Sequence, residues 1–181
     1  KTEARELARA AGIPVVPGSP GPLDTDKEAL RLAREMGYPV LIKAAAGHAI
    51  PESVSPDGAW LLYFEPRGGT GWDILAVPIA GETRKPVALV ATPSTDVQPQ
   101  LSPDGKWLAY CNNETTGRSQ VYVQPHPPSG GKYQVSSVGG VQPMWRQDGK
   151  ELFFVGQDGK LYAVNIHAAA RFDAGSPHPL F

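Results

Sequence analysis

Ser102-Pro103-Asp104-Gly105-Lys106-Trp107-Leu108-Ala109-Tyr110 decides the fold, because the chain repeats it. Upstream stands Ser55-Pro56-Asp57-Gly58-Ala59-Trp60-Leu61-Leu62-Tyr63, and downstream a looser copy, Arg146-Gln147-Asp148-Gly149-Lys150-Glu151-Leu152-Phe153-Phe154. Asp57 and Asp104 lie 47 positions apart, Asp104 and Asp148 44. Flanking residues repeat as well, Gln98-Pro99-Gln100-Leu101 corresponding to Gln142-Pro143-Met144-Trp145. Periods in the forties made of short strands indicate propeller blades of four strands each.

The chemistry of one repeat supports that assignment. Ser-Pro-Asp-Gly puts proline second and glycine fourth, as a type I turn prefers. The stretch after it, such as Trp60-Leu61-Leu62-Tyr63, is apolar on both alternating faces, whereas a half-exposed strand would alternate polar and apolar. A strand covered by a neighbouring blade on each side needs two apolar faces. Third strands are expected at Asp73–Ile79, Gln120–Gln124 and Leu161–Ile166, and fourth strands at Pro86–Ala91 and Tyr133–Ser136. As turn residues of successive blades, Asp57, Asp104 and Asp148 belong on a common rim, well separated, rather than around a metal. Trp60 and Trp107 both read as core.

On these motifs, residues 50–181 resemble a TolB-type propeller, and more narrowly the propeller C-terminal to the kinase domain of many bacterial serine/threonine protein kinases. Members of that group continue into further blades after a stretch like Arg171-Phe172-Asp173-Ala174-Gly175-Ser176-Pro177-His178-Pro179-Leu180-Phe181, so about three blades and an unclosed ring are expected here. Neither His-Arg-Asp nor Asp-Phe-Gly of a kinase occurs. Related propellers cap serine peptidases, but Gly117-Arg118-Ser119-Gln120-Val121 fails the Gly-x-Ser-x-Gly pattern at its last position. His48, His126, His167 and His178 show no metal-ligand spacing.

Upstream of Ile50 the periodicity changes. Thr2 caps a helical stretch of strong helix formers that Gly12 ends. Ile13-Pro14-Val15-Val16 is extended. A second helix starts at Thr25, with Glu28 completing a capping box and Leu30, Ala33 and Met36 on one face, and Gly37 stops it. Val40-Leu41-Ile42 is an apolar run typical of a buried strand. The two blocks KTEARELARAAGIPVVPGS and EALRLAREMGYPVLIKAAAG, in that order, resemble the start of the ATP-grasp domain of biotin carboxylases and related acyl-CoA carboxylase subunits. That resemblance implies a strand-end lysine, Lys43, on the ATP phosphates and a second nucleotide contact at Lys1. In the family a glycine-rich loop follows and closes over the phosphates. Here Gly47 is followed by His48-Ala49-Ile50-Pro51, and the metal-binding carboxylates, bicarbonate site and biotin site of that family have no counterpart.

The expected fold is therefore mainly β, a partial propeller over residues 49–181 preceded by a short α/β ATP-grasp fragment over residues 1–48. The expected function is a non-catalytic module that binds a protein or small ligand on its rim, fused to the fragment through a join that is natural or artefactual. The alternative is the remnant of an ATP-dependent biotin carboxylase or related carboxylase/ligase subunit that binds ATP. No catalytic or metal residue is assigned, and no cofactor is expected unless Lys1 and Lys43 hold ATP. Seventeen Lys and Arg against eighteen Asp and Glu leave no basic excess for nucleic acid. There is no apolar run long enough for a bilayer and no signal segment, which points to the cytoplasm rather than secretion. The chain starts at Lys1 inside a helix start, which suggests missing upstream sequence. A single cysteine, Cys111, excludes an internal disulfide and leaves the compartment open. Open blade edges are expected to promote self-association.

Overall fold

The computed structural model describes Arg31 and residues 48–69, 71–81, 84–115, 117–168 and 172–181. The chain divides into two compact units, Lys1–Gly47 and His48–Phe181. In the first, Arg31 is helical and exposed. Lys1, Lys43 and the other elements expected before Gly47 lie outside the described residues.

The second unit is a succession of antiparallel sheets. The first sheet holds β1 (Ile50–Val54), β2 (Trp60–Arg67), β3 (Gly71–Pro78) and β4 (Val87–Val90), in chain order. The second holds β5 (Asp96–Leu101), β6 (Trp107–Asn112), β7 (Gln120–Pro125) and β8 (Tyr133–Gln134) in the same order. The third runs β9 (Val141–Trp145), β10 (Glu151–Val155) and β11 (Leu161–Ala168). Its fourth position is shared by two short strands, β12 (Phe172–Ala174) and β13 (His178–Pro179), both paired with β11. Three meandering sheets in series are three blades. The third differs from the four-stranded pattern because Gly175-Ser176-Pro177 interrupts its outer edge.

The expected third and fourth strands are present within one or two residues of their predicted ends. What the repeat did not announce was the first strand of each blade. β1, β5 and β9 carry prolines, Pro51, Pro99 and Pro143, and each pairing is irregular: the register shifts between Pro51 and Ser53, between Val97 and Gln100, and opposite Phe153 to Val155. Gln98 and Gln142 occupy the left-handed region at φ 57° and 55°, where non-glycine residues are uncommon. The bulges have a use. The side-chain carbonyl of Gln98 accepts the Gln142 N–H (2.9 Å), and that of Gln100 accepts the Trp145 N–H (2.7 Å), so the second blade's first strand caps the backbone of the third. Ser53 donates likewise to the Pro99 carbonyl at 2.7 Å, between the first and second blades.

The core consists of two slabs between blades. Leu62, Phe64, Ile74 and Ala76 of the first blade meet Leu108, Tyr110 and Tyr122 of the second. Trp107, Ala109, Cys111, Val121 and Val123 of the second meet Trp145, Leu152, Phe154, Val164 and Phe172 of the third. Strand β6 therefore sends alternate residues into both slabs, and all six of its residues are buried. The single buried carboxylate of β5, Asp96, is compensated by the Thr92 N–H, the Thr92 hydroxyl and the Asn112 amide at 2.9, 2.8 and 2.6 Å. No helix among the described residues is long and apolar enough to cross a membrane.

Candidate binding groove

Each Asp-Gly turn builds itself from the same bonds. Gly58 N–H reaches the Ser55 carbonyl (2.8 Å), Asp57 accepts the Ala59 N–H (3.0 Å), and the Ser55 hydroxyl both donates to Asp57 and accepts the Trp60 N–H. The second blade repeats this with Ser102, Asp104, Gly105, Lys106 and Trp107. In the third, arginine stands where serine stood, and Arg146 grips Asp148 through two bonds at 2.7 and 2.8 Å. A further turn of the same kind, Gln157-Asp158-Gly159-Lys160, joins β10 to β11, with Asp158 accepting the Lys160 N–H at 3.1 Å. The Ser55 hydroxyl and the Ala59 N–H hold the Asp57 carboxyl below its ordinary range, and the Arg146 guanidinium holds Asp148 at about 2. For Asp104, partial burial raises the value, but the Ser102 hydroxyl, the Lys106 N–H and the Lys106 charge together bring it down. These aspartates are anionic structural residues. Among the described residues no group of three His, Cys, Asp or Glu could hold a metal.

A groove of about 790 Å³ opens at this rim between the first two blades. Its walls include Trp60, Leu62, Ala76, Ala88 and Leu89 from the first blade and Leu101, His126, Pro127 and Pro128 from the second, with Asp57 and Asp104 on its two sides. The equivalent space between the second and third blades is about half as large, about 400 Å³. The repeat explains the difference. His126 N–H donates to the Lys106 carbonyl (2.7 Å) as Ile166 N–H donates to that of Lys150 (2.9 Å), so histidine stands where the third blade has isoleucine. Trp107, equivalent to Trp60, lies against Phe172 at 5.0 Å and Tyr133 at 6.4 Å between ring centroids. Among the described residues Trp60 has no such ring beside it, and it remains half-buried where Trp107 is buried. The two tryptophans that look alike in the sequence are therefore in different situations, one a core residue and one a groove wall.

Among the described residues the groove contains no assembled nucleophile. Burial lowers the His126 imidazole below its usual value, so it is neutral at physiological pH, and its buried Nδ1 has no hydrogen-bond partner among the described residues. Cys111 lies fully buried in the other slab, where desolvation pushes its thiol up to about 12 and its Sγ donates to Gln98 Oε1 at 3.3 Å. A thiol so placed is inert.

Comparison with known proteins finds different relatives for the two ends of the chain. Residues 1–49 match the family model of the carbamoyl-phosphate synthase L chain, ATP binding domain. Biotin carboxylase of Pseudomonas aeruginosa is 58% identical over 48 residues, which is 26% of this chain and 11% of that protein. Biotin carboxylase of Nostoc sp. is 42% identical over 74 residues, 39% of this chain and 17% of that one. Among solved structures, the putative TolB from Agrobacterium tumefaciens superposes with a TM-score of 0.61 at 19% identity, over 76% of this chain and 50% of that one. The fold after the junction is that of a TolB-type propeller. The chain spans a small share of the carboxylases it matches and half of the Agrobacterium protein. A biotin carboxylase-like ATP-grasp segment and a propeller array are thus both present in one polypeptide.

Proposed function

We propose that this chain works without catalysing a reaction, as a propeller module that binds a partner on its blade rim. The observation that carries this reading is the groove bordered by Trp60 and His126, about twice the size of its equivalent at the next pair of blades, where rings stack on Trp107. Concave, mostly apolar sites with a few placed polar groups are where ligands bind. Function belongs to the site rather than to the fold, so the groove and not the propeller decides the partner.

The second reading is an ATP-binding remnant of a carboxylase or ligase, favoured by the match over residues 1–49. Lys1 and Lys43 would then contact the nucleotide. Against it stands the sequence after Gly47, where His48-Ala49-Ile50-Pro51 replaces the phosphate-closing loop. We also propose that the join between the two parts is accidental, because it falls inside a nucleotide-binding loop rather than in a linker. Reading the gene across codons 45–52 in independent isolates tests that point.

Calorimetric titration of the full chain with Mg-ATP separates the two functional readings. The module reading predicts no saturable heat. Micromolar affinity that disappears in Lys43→Ala would establish the enzyme remnant instead.

A further inference from the structure

We propose that the groove between the first two blades binds the cationic end of an aromatic or apolar ligand, of the arylamidine or arylamine type. The inference deepens the binding-module reading and rests on it. Three features of the groove point the same way.

The floor is apolar, made by Leu62, Ala76 and Leu101, and accepts a hydrophobic body. Trp60 forms one wall and is only partly buried, where the equivalent Trp107 is covered by Phe172 and Tyr133. An indole that lines a groove attracts a cation to its ring, and tryptophan does so best among the aromatic residues. Two carboxylates from different blades, Asp57 and Asp104, border the opening. Lys106 stands 4.0 Å from Asp104 and offsets part of its charge, whereas Asp57 pairs with no described cation. One oxygen of Asp57 serves its own turn, leaving the charge as a whole directed to solvent and the groove. A planar cation receives a charge-assisted hydrogen bond acceptor from Asp57 and a π surface from Trp60. The described lining residues include no lysine or arginine to meet an anionic ligand, so the groove's chemistry favours positive charge.

The test uses benzamidine as probe, with neutral benzamide as its near-isostere, and follows the indole N–H resonances of the full chain by NMR. Benzamidine is expected to bind saturably in the millimolar range and to shift the Trp60 signal. Benzamide is expected to bind at least about five-fold more weakly. Asp57→Asn keeps an oxygen to accept the Ser55 and Ala59 bonds but loses the charge that those bonds favour, so the fold is expected to lose a little stability while remaining cooperative, and benzamidine affinity should fall about five-fold or more. Ala88→Phe, at an exposed position on the groove wall, fills the space without touching the core and should abolish binding. Equal affinity for the two probes, undiminished binding in Ala88→Phe, or no saturation up to about 50 mM would overturn the assignment. If benzamidine fails and Mg-ATP fails too, the ligand class falls while the non-catalytic reading stands; if Mg-ATP binds, the binding-module reading itself falls.

Discussion

Trp107→Ala is expected to cost the propeller unit roughly 3–5 kcal/mol, the range for deleting a large buried aromatic side chain. Trp107 is 9% exposed and its ring closes the space between the second and third blades against Phe172 and Tyr133. Its removal leaves a cavity lined by parts that are fixed in two separate sheets, so relaxation can recover little. The same substitution at Trp60 is expected to cost about half as much or less, because that indole is half-buried beside a groove already open to solvent. Urea unfolding followed by far-UV circular dichroism, which does not depend on the deleted fluorophores, measures both. Equal losses at the two positions would show that the blade interfaces are equivalent and that the first groove is not open.

The second large effect is expected at Gly140. A Cβ built there would lie 2.8 Å from Phe154 Cδ2 and 2.9 Å from Val121 Cγ2, and both of those side chains are fully buried. Gly140 also donates its N–H to the Ser119 carbonyl at 3.0 Å, which ties the approach to β9 against the start of β7. The glycine is therefore required for close approach, with φ outside the left-handed region. Gly140→Val forces Phe154 off its packing position or pushes the two strands apart, at about 3 kcal/mol, the upper part of the overpacking range. Gly130→Ala is the control: a Cβ there meets nothing within 4 Å, and stability should change by less than about 0.5 kcal/mol. Thermal melting of the two variants beside the parent chain checks the contrast.

The fold was largely legible because turn chemistry and apolar runs repeat together. Ser-Pro-Asp-Gly specifies a tight turn by itself, and the strand after it is apolar on both faces only when blades cover both faces, as β6 shows residue by residue. The first strands were harder to see for a physical reason. Proline normally argues against an interior strand, yet Pro99 and Pro143 are accommodated in strands whose ladder is already broken by left-handed Gln98 and Gln142. Nothing in the local sequence announces that a glutamine will adopt such a φ in order to cap the next blade.

The groove was less legible than the fold. Trp60 and Trp107 occupy identical places in their motifs, and what separates them lies far along the chain, in Phe172 and in the exchange of Ile166 for His126. Aligning the third strands through the preceding Lys106 and Lys150 would have placed that histidine in an interior position of the repeat. A polar residue at a position that should be apolar is the signal, and it becomes visible only once the register is known. Lys1 and Lys43, by contrast, were singled out through resemblance to biotin carboxylases, and their part in nucleotide binding is decided by the ATP titration.

The two blade interfaces differ, ring stacking narrowing the one between the second and third blades and leaving the one between the first and second open. Acrylamide quenching of two chains, each retaining one of the four tryptophans by replacing the other three with phenylalanine, tests that difference directly. The Trp60 chain is expected to be quenched several-fold more efficiently than the Trp107 chain. Equal quenching of the two indoles, in chains that melt cooperatively, would contradict it.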